Sequence, residues 1–344
     1  MKRVRVICGV AAALLLTIGL LAVVQRLLAP KYQTHLVEGA LTAEYYQETT
    51  THDVLFLGDC EVFSNFSPVT LWRTYGVTSY IRGSAQQLVW QSYYLLEDTL
   101  QTETPKVVVY NVLALKYGTP QSEAYNRMTL DGMRPSKSKT AAIRASMTAD
   151  EDALSYVFPL LRYHARWSEL TQEDFTYWFR TGTVSHNGYL METGVDPVTT
   201  LPLAPPLTDP ALPETSMDYL SRMAALCEQN GIALVLIKSP SVYPHWYDEW
   251  DAELSSFAEA HGVAYYNMMD DPHTGVDLAT DTFDQGQHLN VFGAEKLSAW
   301  FGGVLTERYA LPDHRGDAAF ESVWQEKIQA YEIEKAALLA AEES

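Results

Sequence analysis

Val54-Leu55-Phe56-Leu57 is a short apolar run that stops at Gly58-Asp59-Cys60. A run of this length with no polar alternation is buried on both faces, as a strand inside a parallel sheet is. The pattern recurs. Val77-Thr78-Ser79-Tyr80-Ile81 ends at Arg82-Gly83-Ser84, and Lys106-Val107-Val108-Val109-Tyr110-Asn111-Val112 follows Pro105. Ile232 to Ile237 leads into Lys238-Ser239-Pro240, and Val263 to Tyr266 is the last such run. Helical segments separate them: Gln86 to Leu100, Ser216 to Gln229 closed by Asn230-Gly231, Trp246 to Ala260, and Val291 to Leu305. Strands alternating with helices predict an α/β fold built on a doubly wound, mostly parallel sheet. Residues 118–214 break the rhythm. This stretch is rich in aromatic and polar residues, among them Tyr163, His164, Trp167, His186 and Tyr189, and closes with the proline-rich segment Pro197 to Pro213. It reads as a mixed insertion covering one end of the sheet. Ligands of doubly wound sheets bind beyond the carboxyl ends of the strands. Cys60, Gly83 and Asn111 fall at or just past strand ends, and His288 follows the last strand.

The ends of the chain are of another kind. Lys2, Arg3 and Arg5 precede an uncharged run from Ile7 to Val24. Its length is near the lower limit for a spanning helix. The basic flank places the N-terminus in the cytoplasm and the remainder outside. Residues 1–28 are thus read as an uncleaved signal anchor, with a cleaved signal as the alternative. The expected result is a single-pass protein of the cell membrane with an extracytoplasmic domain. Residues 29–51 form a polar connector, 52–310 the α/β domain, and 311–344 an acidic helical tail that is a candidate site for a protein partner. The net charge of −19 argues against nucleic acid, whose phosphates need a basic surface. Three cysteines, Cys8, Cys60 and Cys227, make no disulfide framework.

Two segments carry the chemistry. Cys60 lies where a strand turns, and the N–H groups of such a turn favour a thiolate and later an oxyanion. Asp284-Gln285-Gly286-Gln287-His288 offers a base with a carboxylate four residues before it to set its tautomer; Asp281 is the reserve acid. Gly83 and Asn111 are candidate oxyanion donors beside the Cys60 N–H, one through the backbone and one through a side-chain amide. Cys60, Asp284 and His288 could in principle ligate zinc, but no paired Cys or His spacing supports a site. No metal and no cofactor is expected.

These segments resemble the SGNH/GDSL hydrolase superfamily over most of Asp53 to about Leu305, the insertion excepted. Gly58-Asp59-Cys60 stands where that family has Gly-Asp-Ser, Gly83 matches its block glycine, and Asn111 its asparagine, without the glycine usually before it. Asp284 and His288 match its Asp-x-x-His with one residue added. Leu289-Asn290, followed by Gly293-Ala294, is similar to the version in membrane-anchored members from Gram-positive bacteria, which act in D-alanylation or O-acetylation of envelope polymers. The resemblance implies a flavodoxin-like sheet of SGNH type and a Cys60-His288-Asp284 site. It implies an esterase or acyltransferase whose partner is an acylated glycan or cell-envelope polymer. The Ser-to-Cys change implies a thioester intermediate or, alternatively, a catalytically inactive protein that binds an envelope glycan or partner.

Overall fold

The computed structural model describes residues 2–31, 41–179, 184–201, 203–269 and 271–343. The middle of the connector therefore lies outside the described residues. The elements run α1 (Lys2–Leu28), β1 (Val54–Gly58), α2 (Cys60–Asn65), α3 (Pro68–Tyr75), β2 (Ser79–Gly83), α4 (Val89–Thr99) and β3 (Val107–Asn111). The insertion follows as α5 (Glu123–Leu130), α6 (Lys137–Ser146), α7 (Ala153–Val157), α8 (Leu160–Tyr163) and α9 (Gln172–Phe179). The rhythm then resumes with α10 (Glu214–Gln229), β4 (Ala233–Lys238), α11 (Asp248–His261), β5 (Ala264–Asn267), α12 (Val291–Tyr309) and α13 (Ala318–Glu342).

The five strands are all parallel and lie in the order β2-β1-β3-β4-β5. This is the flavodoxin-like order, whose switch point lies between β1 and β3. The two central strands are buried at every position. Their alternate side chains go to opposite layers, as the strand period of two requires. Leu55 and Leu57 join Leu95, Leu220, Met223 and Leu254 on one face. Val54 and Phe56 join Phe66, Trp72, Leu297 and Phe301 on the other. Each such side chain contributes about 1.5–3 kcal/mol on burial.

Two boundaries differ from the sequence expectation. β2 lies two residues later than the run Val77 to Ile81, because Gly83 is paired with Gly58 at the end of β1. α4 starts at Val89 rather than Gln86, because Gln86 holds a positive φ of 52°. The insertion contains no named strand among the described residues; its aromatics sit on short helices and turns.

α13 does not stand away from the domain. Trp324 is fully buried and stacks on Trp72 of α3, with ring centroids 5.0 Å apart. Tyr331, one full heptad later, is buried with it. Lys335 reaches Glu295 of α12 at 2.8 Å. Trp324 and Tyr331 of the tail are therefore covered by the domain itself. At the other end, α1 is exposed over most of its length and apolar. It is long and apolar enough to cross a membrane. Its last turn is tied to the insertion, where Arg166 Nη1 donates to the Leu28 carbonyl at 2.9 Å.

Candidate active site

β1 ends at Gly58 with φ +151°, and a Cβ there would stand 2.9 Å from Asn111 Cβ. Only glycine lets the chain turn this close to β3. Asp59 then caps α2 by accepting the Glu61 N–H at 3.2 Å, which makes Cys60 the first helical residue. β2 ends flush against the same turn. A Cβ on Gly83 would be 2.6 Å from Val62 Cγ2 and 3.1 Å from the Gly58 carbonyl oxygen. Cys60 and Gly83 thus sit side by side at the carboxyl edge of the sheet. Cys60 is part-exposed and unbridged, and Cys227 is buried and free on α10.

His288 arrives from the loop before α12. Its Nδ1 lies 2.6 Å from Asp284 Oδ2, and its backbone N–H donates to Asp284 Oδ1 at 2.8 Å. One carboxylate therefore grips the histidine at two points. Phe283 lies nearly parallel to the ring, 5.9 Å away. The reserve acid, Asp281, is buried in an ion pair with Lys296 at 2.7 Å and does not hold the histidine. Asn290 caps α12 by accepting the Phe292 and Gly293 N–H groups. Asn65 completes the assembly. Its Oδ1 accepts the Leu289 N–H at 2.8 Å, and its Nδ2 donates to Ser239 Oγ at 2.8 Å. The helix that starts with Cys60 is thereby fastened to the histidine loop. Sequence reasoning passed over Asn65, which carries no signal except its place at the end of α2.

Asn111 has a different employment from the oxyanion role expected of it. Its Nδ2 donates to Asp59 Oδ1 at 3.1 Å and to Glu61 Oε2 at 2.9 Å, and its Oδ1 accepts the Ser239 N–H at 3.1 Å. The amide is engaged with two buried carboxylates. Lys238, fully buried at the end of β4, faces the same pair. Its Nζ lies 2.9 and 3.0 Å from the two Glu61 oxygens and also donates to the Ser239 carbonyl and Ser241 Oγ. An ion-pair cluster thus lies directly beneath the cysteine turn.

The charges set the resting protonation. Burial, then the Asp59 carboxylate, push the Cys60 thiol up, while hydrogen bonding to His288 and the His288 charge pull it back. Burial would lower His288, but hydrogen bonds to Asp284 and Cys60 outweigh it and raise the imidazole to about 10. Burial and the Glu61 charge raise Asp59 to about 6, against the pull of Lys238. Burial and Asp59 thus favour the neutral form of Cys60, while Asp284 favours the charged form of His288.

A stability test follows from His288. A base whose folded pKa is raised from 6.5 to about 10 stabilises the fold fully below the lower value, and that gain is lost as pH rises through the upper one. The elevated Cys60 thiol acts in the same direction. In Asp284→Asn the imidazole loses its main support. The melting temperature of Asp284→Asn is expected to lie below that of the parent at pH 6 and to converge on it by pH 10. A gap that stays constant with pH would contradict the assignment.

No family model matches the chain, and no curated protein does. Solved structures do. The chain is similar to G-D-S-L proteins and acylhydrolases of known structure. One, assigned as a lipolytic protein of the G-D-S-L family, from Desulfitobacterium hafniense DCB-2, is 14% identical, with 74% of this chain and 100% of that one covered and a TM-score of 0.38. An assigned acylhydrolase from Bacteroides fragilis NCTC 9343 is 11% identical over 77% of this chain and 94% of its own, with a TM-score of 0.38. A GDSL-like lipase from Bacteroides thetaiotaomicron VPI-5482 is 12% identical over 77% and 98%, with a TM-score of 0.34.

Proposed function

We propose that this chain is a membrane-tethered esterase or acyltransferase of SGNH/GDSL type, acting outside the cytoplasm on acyl esters of cell-envelope glycans or polymers. The observation that carries the reading is the Asp284 carboxylate 2.6 Å from His288 Nδ1, on a loop fastened through Asn65 to the helix that Cys60 begins. The Cys60 sulfur attacks the ester carbonyl, its proton lost through His288. The oxyanion lies against the N–H groups of Cys60 and Gly83. Asn111 acts from below by holding Asp59 and Glu61. The tetrahedral intermediate expels the alkoxide, which takes the imidazolium proton, and leaves a thioester on Cys60. His288 then draws a proton from water or a glycan hydroxyl, whose oxygen displaces the sulfur. Hydrolysis and transfer differ only in that acceptor.

Acyl-enzyme trapping tests this. The full chain in detergent is incubated with an activated acetyl ester, quenched in acid and digested. A single acetyl group is expected on the Cys60 peptide, released by hydroxylamine and absent from His288→Ala. A Cys60 peptide that stays unmodified at every pH up to 9 would sink the reading. One observation favours the alternative of a glycan-binding protein without turnover: burial and the neighbouring Asp59 push the Cys60 thiol up, away from the thiolate. In that case Cys60 alkylates slowly at all accessible pH values, and its rate is indifferent to His288→Ala.

A further inference from the structure

Outside α1, the large apolar side chains that are exposed among the described residues are unevenly placed. Leu154, Val157, Phe158 and Leu161 are each more than half exposed, Trp167 is 71% exposed and Phe175 46%. They fall within one short stretch of the insertion, on α7, α8, the turn His164–Ser168 and α9. Leu154 and Val157 lie on α7, Phe158 is its non-helical cap, and Leu161 lies on α8, so the four gather on two short helices joined at Pro159. A soluble surface rarely shows so many large apolar groups together without a function. The stretch from Ala153 to Ser168 also lacks any carboxylate, in a chain with 43 acidic residues.

Its position says what covers it. The end of α1 packs on α8, on the turn His164–Ser168 and on α9. Arg166 clamps the junction: one nitrogen donates to the Leu28 carbonyl at 2.9 Å and the other to both oxygens of the buried Asp174 at 2.9 Å. Lys31 Nζ lies 3.6 Å from the same carboxylate. The exposed apolar patch is therefore continuous with the point where the apolar helix meets the domain. Trp167, with its amphipathic ring, is the residue type that settles at a membrane–water boundary.

We propose that α7, α8, Trp167 and α9 form an apolar footplate that rests in the interfacial layer of the same bilayer that α1 crosses. The inference rests on the tethered reading of α1. The footplate fixes the tilt of the catalytic domain over the membrane, where a helix alone would leave it free to swing. Insertion is driven by apolar contact, so zwitterionic lipid suffices and binding is insensitive to salt.

The test uses the full chain in phosphatidylcholine nanodiscs, in a Cys8→Ser, Cys60→Ser background. Environment-sensitive fluorophores are attached at Val157→Cys or Leu161→Cys, at Leu16→Cys within α1, and at Leu203→Cys, which is 96% exposed in the proline-rich loop. Brominated lipids are expected to quench the probes at 157 and 161, most strongly when the bromine lies close to the headgroup, as fits a depth of about 5–10 Å. The probe at 203 should be untouched. Quenching at 16 with none at 157 and 161 overturns the footplate and leaves the tether standing. Absence of quenching at 16 overturns the tether and the footplate with it. Probes at 157 and 161 that are shielded from aqueous iodide but blind to brominated lipid would mean a protein covers the patch, which also overturns the proposal.

Discussion

Cys60→Ala is expected to lower kcat/KM for acyl esters by about four orders of magnitude or more, with the fold intact. The size follows from how such sites work. When nucleophile and base act as one unit, removing either costs about as much as removing both, and in a serine protease that loss reaches about 10⁶. Residual turnover then comes from binding and the oxyanion donors alone. His288→Ala should therefore match Cys60→Ala closely, and the double variant should be no worse than either. Cys60→Ala removes a part-exposed side chain at the start of α2, so melting should hardly change. Steady-state rates with a chromogenic ester measure the effect. Activity that survives Cys60→Ala within tenfold would remove the cysteine from the mechanism.

Lys238→Met is expected to destabilise the fold by about 3–5 kcal/mol, the cost of leaving a buried charge without its partner. Lys238 and Glu61 are both fully enclosed, 2.9 Å apart. Asp59 is buried beside them. Without the ammonium, two carboxylates face each other with only the Asn111 amide between them. One of them must take up a proton, and the loss is greatest at high pH, where that proton is hardest to keep. The double variant Glu61→Gln/Lys238→Met should be more stable than Lys238→Met alone, because it removes the unpaired charge. Urea unfolding of the four chains closes the cycle. A Lys238→Met cost below about 1 kcal/mol would mean that water or rearrangement already serves the carboxylates, against the burial described.

The strands were legible because each core strand is a bare apolar run, and burial on both faces leaves no other reading for Val54 to Leu57 or Val107 to Tyr110. The placement of Gly83 and Asn111 at strand ends, and of Cys60 two residues past one, was legible too. The partners were not. Glu61 reads as one more acid in an acidic chain, and Lys238 as a polar strand end; only a fold that brings positions 177 residues apart to 2.9 Å makes them a pair. The true engagement of Asn111 depends on that pair and was hidden with it. α13 is a similar case. In the sequence it reads only as an acidic tail for a partner, and the fold is what shows Trp324 and Tyr331, seven residues apart, buried against the domain.

The strap formed by α13 reaches the loop that carries His288. Thr193 Oγ1 donates to Glu342 Oε1 at 2.5 Å, and the adjoining Gly194 carbonyl accepts from Asn290 at 3.0 Å. The Val291 N–H, in turn, bonds the Glu192 carbonyl at 2.7 Å. A ribosome delivers these residues in order. Cys60 emerges early, Asp284 and His288 late, and the helix that braces their loop later still. The Cys60 thiol therefore exists for most of synthesis without His288 beside it, and the loop that carries His288 gains its brace from α13 last of all.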